Sequence, residues 1–468
     1  MPAEALAAEV RRDLERLGLP ARHWTAREPG GDLLDVLVVG AGMCGIAAAA
    51  ALAFKGVRNL ALIDQASHGL EGPWRTTARM RTLRSPKHLP GIALGIPSLS
   101  FRAWYEATRG LAAWDALYKI ANDDWMDYLV WLTGVLALPL SSGVALRLLD
   151  HEGAHLLAEL SDGRVLRARH VVLATGRDGA GGPNLPALVD RALWPEHAAH
   201  TAEAIDFTRL RGKRVAVLGA GSSGWDAAAT ALEQGARAVD MYCRRARLPQ
   251  FNKGRGSTNP GYFEGWASLS DAERWQLMAY MHDEQSPPPH ESVHRALAHP
   301  GFRLHLASPV EAAGPGPEGV ALRVAGQPRG AGFLVLATGF AVDLARRPEL
   351  AALLPHIATW ADAYTPPPAL ARPELGRFPY LDEGFAATPR GADAPAALAG
   401  LHLFNHAATL SLGAIASDIP GVSTAAERLS GRIAAALFRA DFPVLFERLR
   451  AFDEPELEST PYFVALRP

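Results

Sequence analysis

Cysteine is nearly absent from this chain of 468 residues, which holds two, Cys44 and Cys243. Two cysteines cannot build a disulfide framework, and no CxxC occurs, so the chain is expected in a reducing compartment, the cytoplasm. Dithiol–disulfide chemistry, which needs a redox-active pair, is disfavoured for the same reason. Net charge is also missing: 47 Lys and Arg against 49 Asp and Glu leave −2. No basic surface is therefore expected for nucleic acid or an anionic membrane. Met1 to Leu17 mixes both charge signs on a helical pattern and lacks the charged-then-apolar order of a signal peptide. One uncharged stretch, Tyr128 to Leu146, has about the length of a bilayer span. It is interrupted by Gly134, Pro139, Ser141, Ser142 and Gly143, and reads instead as a buried helix end, a loop and a strand. The 16 histidines show no HExxH and no Cys/His spacing, and His197 and His200 lack clustered companions, so no metal site is expected. Gly221-Ser-Ser-Gly224 lacks the GxSxG spacing of a nucleophile elbow.

What is present is apolar and glycine-punctuated. Apolar residues make up 49% of the chain, and the length suits two or three domains. Two segments read as buried strand, tight glycine turn, helix and second strand. The first runs from Asp35 through Gly40-Ala-Gly42-Met-Cys44-Gly45 to a strand ending at Asp64. The second runs from Lys213 through Gly219-Ala-Gly221-Ser222-Ser223-Gly224 to a strand ending at Arg244-Arg245. In such loops the first glycine permits the turn, the second lets backbone approach a pyrophosphate, and the third lets helix pack on strand. The helix start then offers free N–H groups and a positive dipole end to the phosphates. Two further apolar strands end alike, at Ala174-Thr175-Gly176 and Ala337-Thr338-Gly339, and ligands in open α/β sheets lie at such strand ends.

The second strand of each unit selects its nucleotide. Asp64 stands where a carboxylate accepts bonds from ribose hydroxyls and repels a 2′-phosphate, so FAD or NAD fits there. Arg244 and Arg245 offer guanidinium groups that suit the 2′-phosphate of NADPH. Asp240 is placed inside its strand, away from the ribose. The fold class is α/β, with two Rossmann-like units of parallel sheet and helices on both faces. Boundaries are expected as follows: a helical extension over 1–34, the first part of the FAD domain over 35–205, the NADPH domain over 206–338 with a helical insert at about 250–300, and the second part of the FAD domain over 339–468. An amphipathic helix is expected at Ala425 to Phe438.

With both loops in order, the chain resembles the class B flavoprotein monooxygenases, which include flavin-containing, Baeyer–Villiger and N-hydroxylating monooxygenases. The resemblance covers roughly Asp35 to Leu457. Glu71-Gly72-Pro73-Trp74 is similar to the family's Gly-Gly-Thr-Trp segment, whose tryptophan lies against the flavin. The family's FxGxxxH fingerprint is represented by Trp194, Glu196 and His200, which keep the spacing and the histidine but not the phenylalanine or glycine. Gly332 stands where the N-hydroxylating branch has an Asp. The resemblance implies FAD in the first unit and NADPH in the second. It further implies that reduced flavin and O₂ form a C4a-(hydro)peroxyflavin, which transfers one oxygen atom to a small organic substrate. An NADPH oxidase or flavin-dependent reductase without oxygen insertion is the alternative, and a non-catalytic redox sensor a more distant one. A homodimer is in keeping with relatives.

The residues expected at the flavin nucleotide are Gly40, Gly42, Cys44, Gly45, Asp64, Gln65, Trp74, Arg84, Val144, Ala174, Thr175 and Gly176, with Asn405, Ser411 and Leu412 from a C-terminal turn. Those expected at NADPH are Gly219, Gly221, Ser222, Ser223, Gly224, Arg244, Arg245, Asn252, Ala337, Thr338 and Gly339. Arg84 stands about where flavin-containing monooxygenases place an active-site asparagine. There a fixed cation would hold a flavin-bound oxygen anion or a substrate carboxylate. Lys87, three residues on, is the second expected catalytic cation. Both cysteines are expected to be inert.

Overall fold

The structure, a computed structural model, describes residues 2–462. Helix α1 (Pro2–Arg16) lies on the first unit, burying Leu6 and Val10. The first sheet is built from β1 (Leu33–Val39), β2 (Leu60–Asp64), β3 (Leu140–Ser142), β4 (Leu146–Glu152), β5 (His155–Leu160) and β6 (Val165–Leu173). Their order is β3-β2-β1-β6-β5-β4. β1 is parallel to β2 and β6, whereas β4, β5 and β6 are antiparallel. Val36 to Val39 are all buried, so both faces of the strand are covered, which is why it is continuously apolar rather than alternating. Helix α2 (Met43–Phe54) is almost all alanine in its middle, so it packs tightly between the sheet and the last helix of the chain. Helices α3 (Phe101–Arg109), α4 (Leu111–Ala116) and α5 (Asn122–Val135) surround an aromatic core in which Phe101 touches Trp104, Tyr105, Trp114, Trp125 and Tyr128. The uncharged stretch after Tyr128 is the end of α5, a loop and β3, and no helix among the described residues is long and apolar enough to cross a membrane.

The chain leaves the first unit through β7 (Gly181–Pro183) and enters the second at β8 (Ala198–His200). The second sheet continues with β9 (Arg214–Leu218), β10 (Ala238–Tyr242) and β11 (Phe302–His305). A three-stranded antiparallel sheet of β12 (Val310–Gly316), β13 (Gly319–Val324) and β14 (Gln327–Ala331) precedes β15 (Phe333–Leu336). The parallel order is β11-β10-β9-β15-β8. β8 is thus the edge of the second sheet although it lies upstream of the boundary expected at 206. Helix α6 (Ser222–Glu233) follows the second glycine loop. The helical insert is α7 (Lys253–Gly256), α8 (Pro260–Gly265), α9 (Asp271–Glu284) and α10 (His290–Leu297).

The return is through β16 (Phe340–Val342), antiparallel to β7, with Gly182 opposite Ala341. The remainder is largely irregular, with α11 (Trp360–Ala363), the short β17 (Leu401–His402) added beside β6, α12 (Thr409–Leu412) and α13 (Val422–Arg450). α13 runs well past the expected end at Phe438 and carries Pro443 within it. A buried ion network fixes it: Arg169 Nη1 is 2.9 Å from Asp35 Oδ1, and its Nη2 is 2.9 Å from Asp441 Oδ1. Asp441 also accepts from the Ala26 N–H at 2.9 Å, so one cluster ties the N-terminal loop, β1, β6 and α13 together.

Candidate active site

The glycine loops show which of their residues the protein itself requires. Gly40 has φ +99°, and a Cβ there would lie 2.5 Å from the Ala174 carbonyl oxygen. A Cβ on Gly45 would overlap the Gly40 carbonyl. Gly42 is different: its φ is −68°, and a Cβ would meet no protein atom within 4 Å. The second loop repeats the pattern. Gly219 has φ +105° and faces the Ala337 carbonyl at 2.5 Å, while Gly221, at φ −76°, faces open space. Nothing inside the protein demands glycine at 42 or 221. The space left is open to a close-lying external group, and both helix starts have no side-chain cap, which leaves N–H donors for it. These cradles fit two dinucleotide pyrophosphates.

Around the first loop, Asp64 is buried. Its Oδ2 accepts from the Ala41 N–H and its Oδ1 from the Ala66 N–H, each at 2.7 Å. Burial raises its pKa against these two bonds. Each oxygen keeps a lone pair for a ribose hydroxyl. Val144 is brought alongside by its N–H on the Asp64 carbonyl at 2.8 Å, and Gln65 is exposed next to it. Trp74 is half-buried, edge-on to Trp125 at 6.1 Å. Asn405 Nδ2 donates to Thr175 Oγ1 at 3.1 Å and to the Leu173 carbonyl at 3.2 Å, joining the first Ala-Thr-Gly turn to the end of β17. The Cys44 thiol lies on the Ala416 carbonyl and is pushed by burial up to about 12, which leaves it inert.

Four expected residues have partners or packing within the protein. Ser411 is fully buried, and its hydroxyl is occupied by the Trp360 indole N–H at 2.9 Å, the Leu381 N–H at 3.2 Å and the Pro379 carbonyl at 3.3 Å. Leu412 is also buried, so this pair packs the turn instead of facing a nucleotide. Lys87 Nζ donates to the carbonyls of Trp114 and Asp115 at 2.7 and 3.2 Å and lies over the Trp114 ring. Arg84 Nη2 is 2.7 Å from Asp226 Oδ2, in α6 of the second unit. Both cations expected at the flavin spend donors inside the protein.

The structure adds residues that the sequence pattern did not single out. Arg177 follows the first Ala-Thr-Gly turn, and its side chain has no hydrogen-bond or ion-pair partner among the described residues. Its charge acts on both His406 and Asp418. His406, after β17, is held neutral by burial, its pKa lowered to about 3. Asp418, just before α13, keeps exposed surface yet is ringed closely enough that desolvation raises its carboxyl. Arg177 follows the carboxyl end of β6 and His406 that of β17, and Arg177 lies close enough to act on both His406 and Asp418. Only the position of Arg177, directly after a glycine turn at a strand end, could have flagged it.

In the second unit Arg244 is exposed without a partner among the described residues, and Arg245 donates to the Asp283 carbonyl at 3.4 and 3.5 Å. Asp240 is committed to Arg214 at 2.7 Å and His305 at 2.9 Å, away from any ribose. The Asn252 side chain caps α7, accepting from the Arg255 N–H at 3.3 Å. Thr338 Oγ1 donates to the Asn184 carbonyl at 2.5 Å, and the Asn184 N–H donates to the Gly339 carbonyl at 2.8 Å, so the second Ala-Thr-Gly turn is braced by the outgoing crossing.

Comparison with known proteins agrees with this arrangement. Residues 37–258 match the pyridine nucleotide-disulphide oxidoreductase family, although Cys44 and Cys243 are free and lie in different units. The chain is 40% identical over 461 residues to the FAD-dependent urate hydroxylase of Xanthomonas campestris pv. campestris, covering 97% of both chains. The fold is shared with the ornithine N-hydroxylase of Kutzneria sp. 744, at TM-score 0.70 and 18% identity over 86% of this chain and 99% of that one. It is also shared with a flavin-containing monooxygenase from Stenotrophomonas maltophilia, at TM-score 0.57 and 20% identity over 87% and 99%. A relative at 40% identity over 97% of both chains makes this chain a member of the class B flavoprotein monooxygenases, an FAD- and NADPH-dependent oxidoreductase.

Proposed function

We propose that the chain hydroxylates urate or a closely related oxidised purine. The observation that carries this reading is the identity of 40% along 97% of a urate hydroxylase. The chemistry of Arg177, His406 and Asp418 supports it. Urate is a planar, acidic ring edged by carbonyl and N–H groups. Arg177 would face its anionic carbonyl edge, while neutral His406 and the Asp418 carboxyl offer partners for its N–H groups. Gly42 and the start of α2 would hold the FAD pyrophosphate, and Asp64 its ribose. Gly221 would hold the NADPH pyrophosphate, and Arg244 with Arg245 the 2′-phosphate. FAD, once reduced by NADPH, supplies the activation of O₂; the protein orients the reactants and keeps water from them. The balance is one urate, one O₂, one NADPH and one proton giving hydroxylated urate, NADP⁺ and water.

The test is to follow NADPH, O₂ and urate together with purified protein. Equal consumption of all three is expected. Hydrogen peroxide formed in step with NADPH, with urate untouched, would overturn the reading in favour of an oxidase. The reading places the enzyme in the cytoplasm, which fractionation checks. It also takes the enzyme as a homodimer, supported by the exposed row Phe438, Phe442 and Phe446 on α13 and checked by light scattering.

A further inference from the structure

The segment from Arg79 to Arg84 belongs to the first unit by chain order, between β2 and α3. Its polar side chains are nevertheless spent on the second unit and on the linker entering it. Arg79 donates to the carbonyls of Thr201 at 2.5 Å and Glu203 at 2.6 Å, with its guanidinium over the Phe207 ring. Arg81 pairs with Glu233 at 3.0 Å, and the Thr82 hydroxyl donates to Glu291 at 2.8 Å. Arg84 pairs with Asp226. From the other side, Arg295 of α10 forks onto Glu233 and reaches the Arg79 carbonyl at 3.3 Å. Asp226 and Glu233 are both on α6, the helix that starts at the second glycine loop.

The pair at Asp226 is the most confined of these contacts. The Asp226 side chain is 5% exposed, and its other oxygen accepts from the Ser292 hydroxyl of α10. Arg84 is the one cation in ion-pair contact with it among the described residues. Without Arg84 the buried carboxylate would lose its ion-pair contact and keep only the more distant charges of Arg79 and Arg295, one turn below the N–H groups that would receive a pyrophosphate. We propose that Arg84 and Asp226 are positioning residues: the strap 79–84 fixes α6, and with it the nicotinamide nucleotide, at a set separation from the flavin unit. This assigns Arg84 to the delivery of reducing equivalents and away from the oxygen chemistry.

The test uses the flavin-loaded enzyme with Arg84→Met, Asp226→Asn and both together. Flavin content and reduction by dithionite should match the parent protein. Bleaching of the flavin by saturating NADPH should slow about 10–100-fold, as expected for ångström-scale misplacement of reacting partners. The double variant should be no slower than the slower single one. Independently of turnover, amide hydrogen exchange over residues 79–84 and 290–297 should quicken in both single variants. Should Asp226→Asn not fold, Arg81→Met with Thr82→Val, on the exposed rim of the strap, carries the same readouts. Parental bleaching rates, unchanged exchange, or multiplicative effects in the double variant would overturn the proposal. So would an Arg84→Met enzyme that is bleached normally by NADPH but reacts abnormally with oxygen after dithionite reduction.

Discussion

Gly40 and Gly42 sit two positions apart and are glycine for different reasons, which makes their substitutions separable. Gly40→Ala forces a side chain into the left-handed region, worth about 1–3 kcal/mol of strain, and against the Ala174 carbonyl as well. A lowered melting temperature is the expected result. The Cβ that Gly42→Ala adds meets no protein atom within 4 Å; the variant should melt near the parental temperature, yet the purified protein should lose much of its yellow flavin absorbance. Arg244 and Arg245 admit an equally direct check. Replacing both with Gln should raise the NADPH KM about 10–100-fold, the loss of one or two charge-assisted phosphate contacts, and leave NADH use unchanged. Histidine sets the acid limit. Burial lowers the pKa of His200 to about 4 and that of His406 to about 3. The unfolded chain binds these protons near the ordinary value of 6.5, whereas the folded one resists. The stability they contribute is therefore complete above about pH 6.5 and is lost as pH falls towards 4 for His200 and 3 for His406. His200→Gln should make the urea-unfolding free energy fall less steeply, by about 1.4 kcal/mol per pH unit between about pH 6 and 4.5.

At the scale of elements, the strands that carry the cradles were readable because they are covered on both faces and therefore continuously apolar. β1, β2, β9, β10 and β15 all lie where apolar runs and glycine turns placed them. What was not readable depends on contacts remote in sequence. β8 is the three residues Ala198 to His200, too short for any periodicity, and becomes a strand only by pairing with β15. Ser411 stands in a polar turn, but only the fold shows that its hydroxyl points at Trp360 and Pro379. Arg84 pairs with a residue on another unit, so its neighbourhood could not be inferred from its own segment. Pro443 signals a helix stop, yet α13 continues to Arg450, held from below by Asp441 on Arg169. That cluster is nearly dry: Arg169 is 12% exposed, Asp35 0% and Asp441 8%. Asp441→Ala would strip Arg169 of one partner and leave the Ala26 N–H bare. A loss of about 3–5 kcal/mol is expected in denaturant unfolding.

At the scale of the whole molecule, the second unit is an insertion whose two ends meet. β7 leaves and β16 returns as hydrogen-bonded neighbours, Pro183 opposite Phe340. The first sheet, meanwhile, is incomplete until β17 comes back to lie beside β6. With the insertion unfolded, that last strand would be recruited across a loose chain of roughly 230 residues; with it folded, across roughly 70. The difference in loop-closure entropy is about 1 kcal/mol in favour of the closed sheet. Folding of the nicotinamide half thus favours completion of the flavin half, although the two have separate cores. If NADP⁺ binds the insertion as proposed, it should slow the release of flavin on heating, and damage to a distant side chain such as the buried Trp225 should hasten it.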